Sequence, residues 1–194
     1  MAAPQRTRNR EALSTFEVDK AGLAKLLERR GGKAFAVAEL IQNCWDEDVT
    51  SVTVTLTKPE RSRTVELTVE DDCPTGFADL AHAYTLFAES AKKADPTKRG
   101  RFNLGEKFVI AICDTATVET TTGTVEFGPD GRRMLPARRT AGTRFHGVLR
   151  MTRPEYDDAV ALLGTLLPPA GIATSLNGQP LVTREPLLTF TATL

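Results

Sequence analysis

The octapeptide ELIQNCWD occupies residues 39–46 and lies within a predicted helix. The helix is expected from about Lys33 to Trp45, because apolar residues recur there every three or four positions. Spacings of four and three residues place three polar side chains on one helical face beside the apolar stripe: Glu39, Asn43 and Asp46. Two carboxylates and an amide can coordinate Mg²⁺ and orient a water molecule, although a solvated polar face has the same pattern.

The segment that follows this helix alternates apolar and polar residues. Residues 51–57 (SVTVTLT) and 64–69 (TVELTV) are predicted to form half-buried strands of a hairpin. The second strand continues into VEDDCPTGF (residues 69–77), which turns through Pro74 and Gly76. Asp71 at the strand end could accept a hydrogen bond from the exocyclic amine of a base, although an ordinary acidic turn explains the pattern equally well.

Two glycine-containing segments lie further along the chain. In GRFNLGEKF (residues 100–108), glycines at a loop-to-helix junction allow backbone N–H groups to approach phosphates, and Lys107 falls in the first helical turn. The segment is not a Walker A motif, because neither Ser nor Thr follows the lysine. In AGTRFHGVLRM (residues 141–151), a Gly-Thr pair opens a predicted strand, and a simple turn before a strand has the same sequence.

The remaining patterns predict an α+β domain in which helices cover one face of a mixed sheet. Each of these elements is expected from periodicity or from turn signals. They are a helix from Asp19 to the Gly31-Gly32 pair, a helix over residues 76–89, a mobile loop over 90–101, a short helix or strand over 104–112, strands over 115–128 and 143–151 joined by an Arg-rich connection, a helix over 156–167 and a hairpin over 172–188 around Asn177-Gly178.

Composition limits the class of protein. The 194 residues suit one domain, and 25 basic residues balance 25 acidic ones, which excludes a whole-surface field that would attract nucleic acid. No apolar run is long enough to span a membrane, and the first ten residues do not resemble a signal peptide. The odd number of widely spaced cysteines (Cys44, Cys73 and Cys113) indicates reduced thiols and a cytoplasmic location.

Taken in order, the four motifs resemble those of the Bergerat-fold ATPases. This superfamily, also called GHKL, includes gyrase B, MutL, the large heat-shock chaperones and the sensor histidine kinases. The resemblance covers residues 33–151 and implies a two-layer α/β sandwich with a mixed, mostly antiparallel sheet and helices on one face. We therefore divide the chain into a flexible basic arm (1–18), an ATP-binding domain (19–153) and a helix-plus-hairpin extension (154–194) that could begin a transducer-like domain.

The resemblance also implies roles for individual residues. Glu39 matches the general base that activates the attacking water, Asn43 the ligand of Mg²⁺, and Asp71 the aspartate that binds the adenine amino group. Further nucleotide contacts are implied for residues that match the remaining motif positions: Asp46, Gly76, Gly100, Leu104, Gly105, Lys107 and Thr143. Among these, Gly100 and Gly105 bracket a segment similar to the chaperone lid motif, and Thr143 matches the threonine that supports the adenine.

Two positions depart from the family pattern. Cys73 stands where a glycine is expected in a turn that is also one residue longer, and Asn103 replaces the middle glycine of the lid motif. Both departures are compatible with slow hydrolysis or with a site that has lost activity. A histidine-kinase activity is disfavoured, because Glu39 matches hydrolases and neither His82 nor His146 lies in a segment resembling a dimerisation helix.

The resemblance implies that ATP closes a lid and drives dimerisation of a larger machine. The alternative is a catalytically silent, nucleotide-gated module that contacts DNA or a protein partner. Seven arginines between Arg132 and Arg153, with no acid among them, could form a positive strip along phosphates or could pack over the sheet. Looser similarities, to phage rapid-lysis A-type ATP-binding proteins and to the B subunit of type VI topoisomerases, rest on GEKFVIAICD. Whether the chain is an N-terminal fragment or a stand-alone binder stays open.

Overall fold

The computed structural model describes residues 22–25, 31–77, 79–84 and 105–183. Residues 22–25 are helical. The longer elements follow in chain order: α1 (Gly32–Trp45), β1 (Ser51–Thr57), β2 (Thr64–Asp71), a 3₁₀ turn (Leu80–Ala83), α2 (Gly105–Ile112), β3 (Cys113–Glu119), β4 (Thr124–Gly128), β5 (Gly131–Leu135), β6 (Arg144–Arg150), α3 (Arg153–Gly164), β7 (Ala173–Leu176) and β8 (Gln179–Pro180).

The strands form one eight-stranded sheet in the order β5-β4-β3-β6-β2-β1-β7-β8. Every pairing is antiparallel except that of β1 with β7, which is parallel. Because side chains alternate between the two faces of a strand, β1 and β2 bury every second residue and expose the others. The fold is thus the mixed, mostly antiparallel α+β sandwich that the sequence predicts.

The core lies between the buried face of the sheet and the helices. Helix α1 packs against both α2 and α3, and all three lie on the same side of the sheet. The apolar stripe predicted for α1 is confirmed, since Ala38, Ile41 and Trp45 are buried and Phe35 packs at the edge of the core. The indole Nε1 of Trp45 donates a buried hydrogen bond of 3.0 Å to Thr174 Oγ1, which ties α1 to β7.

Several predicted elements differ from those observed. The helix expected over residues 76–89 is wrong within the described residues, where only the 3₁₀ turn Leu80–Ala83 follows an extended Asp79 that caps it. The single stretch 115–128 is two antiparallel strands joined by a turn at Gly123, and the Arg-rich connection contains a further strand, β5. The segment over 104–112 is helical.

The C-terminal elements join the same sheet. Helix α3 begins at Arg153, next to Pro154, the residue that favours a helix start, and Thr152 and Glu155 form a capping box there. The hairpin around Asn177-Gly178 is present in β7 and β8, and β7 pairs with β1. The basic arm, Asp19, the loop over 90–101 and the residues from 184 onward lie outside the described residues. Within the described ranges, none of the helices combines the length and apolarity that crossing a bilayer requires.

Most of the arginines between Arg132 and Arg153 are paired with carboxylates. Cross-strand neighbours supply the acids, as in the contacts of Arg133 with Glu126 and of Arg150 with Asp114. Glu70 of β2 also pairs with Arg144 of β6 and with Arg139 in the connection before β6, and Arg153 pairs with Asp157 one turn later in α3. The observed pairing therefore favours the hypothesis that these arginines pack over the sheet, and not that of a continuous positive strip.

Candidate functional site

A pocket opens at the end of the sheet where β2 finishes and β6 begins. It lies between these strands and the C-terminal half of α1. The residues that line it include four of the predicted site residues: Asn43, Asp71, Gly76 and Thr143. The rest of the lining is one further acid (Glu47), two cysteines (Cys44 and Cys73) and the apolar side chains of Leu40, Val69, Phe77, Ala83, Val118 and Phe145. An apolar pocket with a few convergent polar groups is typical of a small-molecule site.

Two hydrogen bonds join Asp71 and Thr143. The backbone N–H of Asp71 donates to the carbonyl of Thr143 at 3.0 Å, and the N–H of Thr143 donates to Asp71 Oδ1, also at 3.0 Å. The same Oδ1 accepts the N–H of Cys73 at 3.0 Å. One carboxylate oxygen of Asp71 is therefore committed to the protein, which fixes the orientation of the carboxylate in the pocket.

Two glycines allow the loops around Asp71 to approach each other. Gly142 has a φ of +72°, and a Cβ there would lie 2.1 Å from the carbonyl oxygen of Asp71. Gly76 has a φ of +56°, and a Cβ there would lie 2.4 Å from Thr120 Oγ1. Any side chain would clash at both positions, so the glycines are required by close packing as well as by backbone conformation.

Cys73 causes no comparable strain in the turn. Among the described residues other than glycine, only Arg61 and Asn177 have a positive φ, so Cys73 adopts a conformation open to any amino acid. Its side chain is buried and lines the pocket. The extra residue in the turn is accommodated by Gly76, whose N–H donates to the carbonyl of Cys73 at 3.2 Å.

Burial is the largest influence on Asp71 and raises its pKa above the ordinary value of an aspartate. The nearby charge of Glu47 acts in the same direction. The hydrogen bonds from the backbone of Cys73 and Thr143 and from the thiol of Cys44 oppose the shift without cancelling it. The carboxylate consequently favours a ligand that donates a hydrogen bond to it.

The side-chain amide of Asn43 is incompletely satisfied. Its Nδ2 is buried and has no hydrogen-bond partner among the described residues. A buried donor without a partner costs about 1–3 kcal/mol, and such groups are rare outside functional sites. Since Asn43 lines the pocket, a ligand that brings a hydrogen-bond acceptor would remove this cost.

The other predicted site residues that the structure describes do not line the pocket. Glu39 is half-buried one helical turn before Asn43, and Asp46 is buried at the C-terminal end of α1. Lys107 is buried in the first turn of α2, which begins at Gly105. Gly100 and Leu104 lie outside the described residues.

Glu47 and Cys44 line the pocket although neither was singled out as a site residue from the sequence. Glu47 follows Asn43 by four residues, so helical spacing could have indicated it, but α1 ends at Trp45 and Glu47 lies just beyond. Cys44 is adjacent to Asn43, and its thiol donates a hydrogen bond to Asp71. No sequence pattern signals that contact, because it depends on how α1 docks against the end of β2.

Comparisons with known proteins bear on the family and the fold. Residues 33–127 match a family model described as "Histidine kinase-, DNA gyrase B-, and HSP90-like ATPase". This match covers just under half of the chain and supports a GHKL ATPase domain of the Bergerat fold. The matched stretch contains α1, the turn after Asp71 and α2, which are three of the four motifs of the GHKL resemblance. A search of curated protein sequences found no match.

Solved structures of the GHKL fold include similar chains. The ATPase region of Saccharomyces cerevisiae topoisomerase II aligns with a TM-score of 0.55 and 13% identity, over 78% of this chain and 49% of that one. The same region bound to ICRF-187 (dexrazoxane) gives the same values. The chain thus spans about half the length of these neighbours, and at this identity the likeness concerns the fold alone.

The residues of the GHKL pocket fit a nucleotide-bound Mg²⁺ better than an isolated metal ion. No cluster of three or more His, Cys, Asp or Glu side chains suited to a metal occurs in the described ranges. Asn43 offers one amide that faces the pocket and has an unsatisfied nitrogen. Because Mg²⁺ usually keeps several waters and takes only one or two protein ligands beside substrate phosphates, a single amide oxygen is a sufficient protein contribution.

Proposed function

We propose that this domain binds ATP with Mg²⁺ and hydrolyses it slowly, and that hydrolysis is coupled to closure of a lid and to dimerisation. The observation that carries the proposal is the pocket itself. Within one GHKL-type cavity it combines a fixed, buried carboxylate (Asp71) with an unsatisfied buried amide (Asn43). These two groups match the opposite ends of a nucleotide, since a base offers an amine and a triphosphate offers acceptors.

Asp71 is suited to the adenine. Its carboxylate accepts two backbone N–H groups at Oδ1 and the thiol of Cys44, which leaves one of its roughly four acceptor positions for the exocyclic amine. Val69, Val118 and Phe145 line the same pocket with apolar surface on which a purine ring can pack. Gly76, in the turn after Asp71, and Thr143, which supports the adenine, complete this end of the site, as the resemblance to the family implies.

Asn43 and the residues near it are suited to the phosphates. The amide oxygen of Asn43 would hold Mg²⁺, and its Nδ2 would donate to a phosphate oxygen. Bound Mg²⁺ would supply charge neutralisation on the phosphates. Asp46, Gly100, Leu104, Gly105 and Lys107 complete the proposed contacts on the basis of the family motifs alone.

Glu39 is the proposed general base. In hydrolysis its carboxylate accepts a proton from the attacking water, a new P–O bond forms at the γ-phosphorus, and the bond to the β–γ bridging oxygen breaks to give ADP and inorganic phosphate. Glu39 precedes Asn43 by one helical turn, so both face the same side of α1. This spacing places a proton acceptor next to the proposed Mg²⁺ ligand.

The test combines binding and turnover. Wild-type protein should bind a non-hydrolysable ATP analogue with Mg²⁺ in a calorimetric titration and should release phosphate slowly from ATP. Glu39→Gln should abolish phosphate release and leave the affinity for the analogue within about threefold, because removing one proton acceptor affects only the transition state. Binding without turnover in the wild type would leave the silent, nucleotide-gated module as the function. Absence of binding in a folded sample would refute the proposal.

Lid closure and dimerisation need their own measurement. Sedimentation of the protein with and without the ATP analogue should show a dimer only when the analogue and Mg²⁺ are both present. A monomer under saturating analogue would contradict this part of the proposal without affecting nucleotide binding itself. A cytoplasmic location is likewise proposed from the composition and not tested by the structure.

A further inference from the structure

A second concave site lies at the opposite end of the sheet from the nucleotide pocket. It runs between the β1–β2 turn (residues 58–63) and the segment where β6 leads into α3 (residues 150–153). Only two acids, Glu60 and Glu155, line this basic groove, against six basic side chains: Lys33, Lys58, Arg61, Arg63, Arg150 and Arg153. We propose that the basic groove binds the phosphate backbone of a nucleic acid.

Three of the six cations have no carboxylate partner among the described residues. The exposed guanidinium groups of Arg61 and Arg63 form no ion pair there. Lys58 Nζ donates to two neutral carbonyls, those of Ser62 at 2.6 Å and Met151 at 2.8 Å, so its charge is not neutralised. This contrasts with the arginines between Arg132 and Arg153, most of which are paired.

The same contacts hold the two walls of the groove together. Lys58 bridges the turn and the β6–α3 segment through the carbonyls of Ser62 and Met151. The N–H of Met151 donates to the carbonyl of Arg63 at 3.0 Å, which adds a backbone link between the same two segments. The positive charges of Lys58, Arg61 and Arg63 are therefore held on two segments that are already fixed to each other, which lowers the entropic cost of binding a ligand.

Arg61 has a strained backbone at the tip of the turn. Its φ is +61°, a left-handed conformation in which glycine is favoured and a long side chain is disfavoured. Nothing in the described packing of the fold needs the Arg61 side chain, because it is exposed and has no hydrogen bond or ion pair. Arg61 thus holds an exposed positive charge in a strained backbone conformation, and this is consistent with a role in binding a ligand outside the chain.

The composition of the groove favours a nucleic acid over a membrane or a protein partner. Four of its six cations are arginines, whose planar forks suit phosphate oxygens. The large exposed apolar side chains of the described residues (Met134, Leu162, Leu167 and Val182) all lie outside the groove. A bilayer or a protein interface would draw on such apolar anchors, whereas phosphate contacts do not need them.

The groove and the nucleotide pocket are separate sites. Asp71 and Thr143 lie at one end of β2 and β6, and the groove lies at the other end of the same strands. Strands of this length separate the two sites by about 20 Å. An ATP analogue should therefore not compete with a nucleic acid for the groove, and the inference does not depend on nucleotide binding.

The experiment measures fluorescence anisotropy of a short labelled DNA duplex titrated with the full chain across a salt series. If about four phosphates are contacted, the logarithm of the association constant should fall with the logarithm of salt with a slope of about −4. The double variant Arg61→Gln/Arg63→Gln should bind at least tenfold more weakly, with a slope shallower by about 2. Arg132→Gln/Arg133→Gln, on the exposed edge strand β5, removes the same charge and should bind like the wild type.

A single variant separates binding from folding. Arg61→Gly relieves the left-handed strain, so its melting temperature should equal or exceed that of the wild type while its affinity for DNA falls severalfold. Four results would overturn the inference: no DNA binding by the wild type, equal losses in the two double variants, competition by the ATP analogue, or binding of polyglutamate or anionic vesicles in place of DNA.

Discussion

Replacing Asp71 with asparagine should abolish most nucleotide affinity without unfolding the domain. The amide oxygen of the asparagine can still accept the N–H groups of Cys73 and Thr143, which lie 3.0 Å from Oδ1 in the wild type. The second oxygen becomes an NH₂ group that would face the donor amine of adenine. A hydrogen bond to a charged group contributes about 1.5–3 kcal/mol, so the affinity should fall roughly 10- to 150-fold.

The stability of the variant is an independent expectation. Burial raises the pKa of Asp71, so the folded state binds its proton more tightly than the unfolded chain does. Stability therefore decreases as the pH rises from the unfolded pKa through the folded one, and the ionised carboxylate is a net cost at neutral pH. Asp71→Asn removes this cost, and its melting temperature at neutral pH should equal or exceed that of the wild type.

A matched control is Asp71→Ala. It leaves the N–H groups of Cys73 and Thr143 without their acceptor, which should cost about 2–6 kcal/mol of stability for two buried donors. Calorimetric titration with a non-hydrolysable ATP analogue and Mg²⁺, together with thermal melting, distinguishes the two variants. Unchanged affinity in a folded Asp71→Asn protein would refute the assignment of the adenine to Asp71.

Other substitutions test the frame of the pocket and its electrostatics. Gly142→Ala should cost about 2–5 kcal/mol in chemical unfolding, because its φ is +72° and the new Cβ would lie 2.1 Å from the carbonyl oxygen of Asp71. Gly164 lies at the end of α3, and a Cβ added there would have no neighbouring atom within 4 Å, so Gly164→Ala should instead stabilise the fold by about 0.5–1 kcal/mol. Equal effects of the two substitutions would contradict the packing argument. Burial would raise the pKa of Asp72, but hydrogen bonds from Thr50 and Ser51 prevail and lower it to about 2. Ionised Asp72 therefore adds to the free energy of unfolding above its unfolded pKa, and this contribution is lost as the pH falls towards 2. The Asp72→Asn protein should lose less stability than the wild type over that pH range, as measured by urea unfolding at several pH values.

Local periodicity in the sequence was sufficient to predict several elements of the fold. The three-to-four-residue spacing along α1 fixes its buried stripe, and the alternation in β1 and β2 fixes which side chains face the core. The sequence also supplied the order of the four motifs, from which the family was identified. The 3₁₀ turn at residues 80–83 and strand β5 were missed, because short elements of this kind are held by neighbours across the sheet and have little periodicity of their own.

The charged and polar groups that contact one another could not be predicted from the sequence, because strand pairing brings them together. Between Arg132 and Arg153 the sequence shows arginines with no acid, yet strand pairing brings Glu70 and Asp114 from distant segments to neutralise several of them. Arg61 and Arg63, in contrast, have no carboxylate partner among the described residues. Contacts of this kind depend on which strands become neighbours, because alternation fixes the face on which each side chain lies but does not select the partner strand.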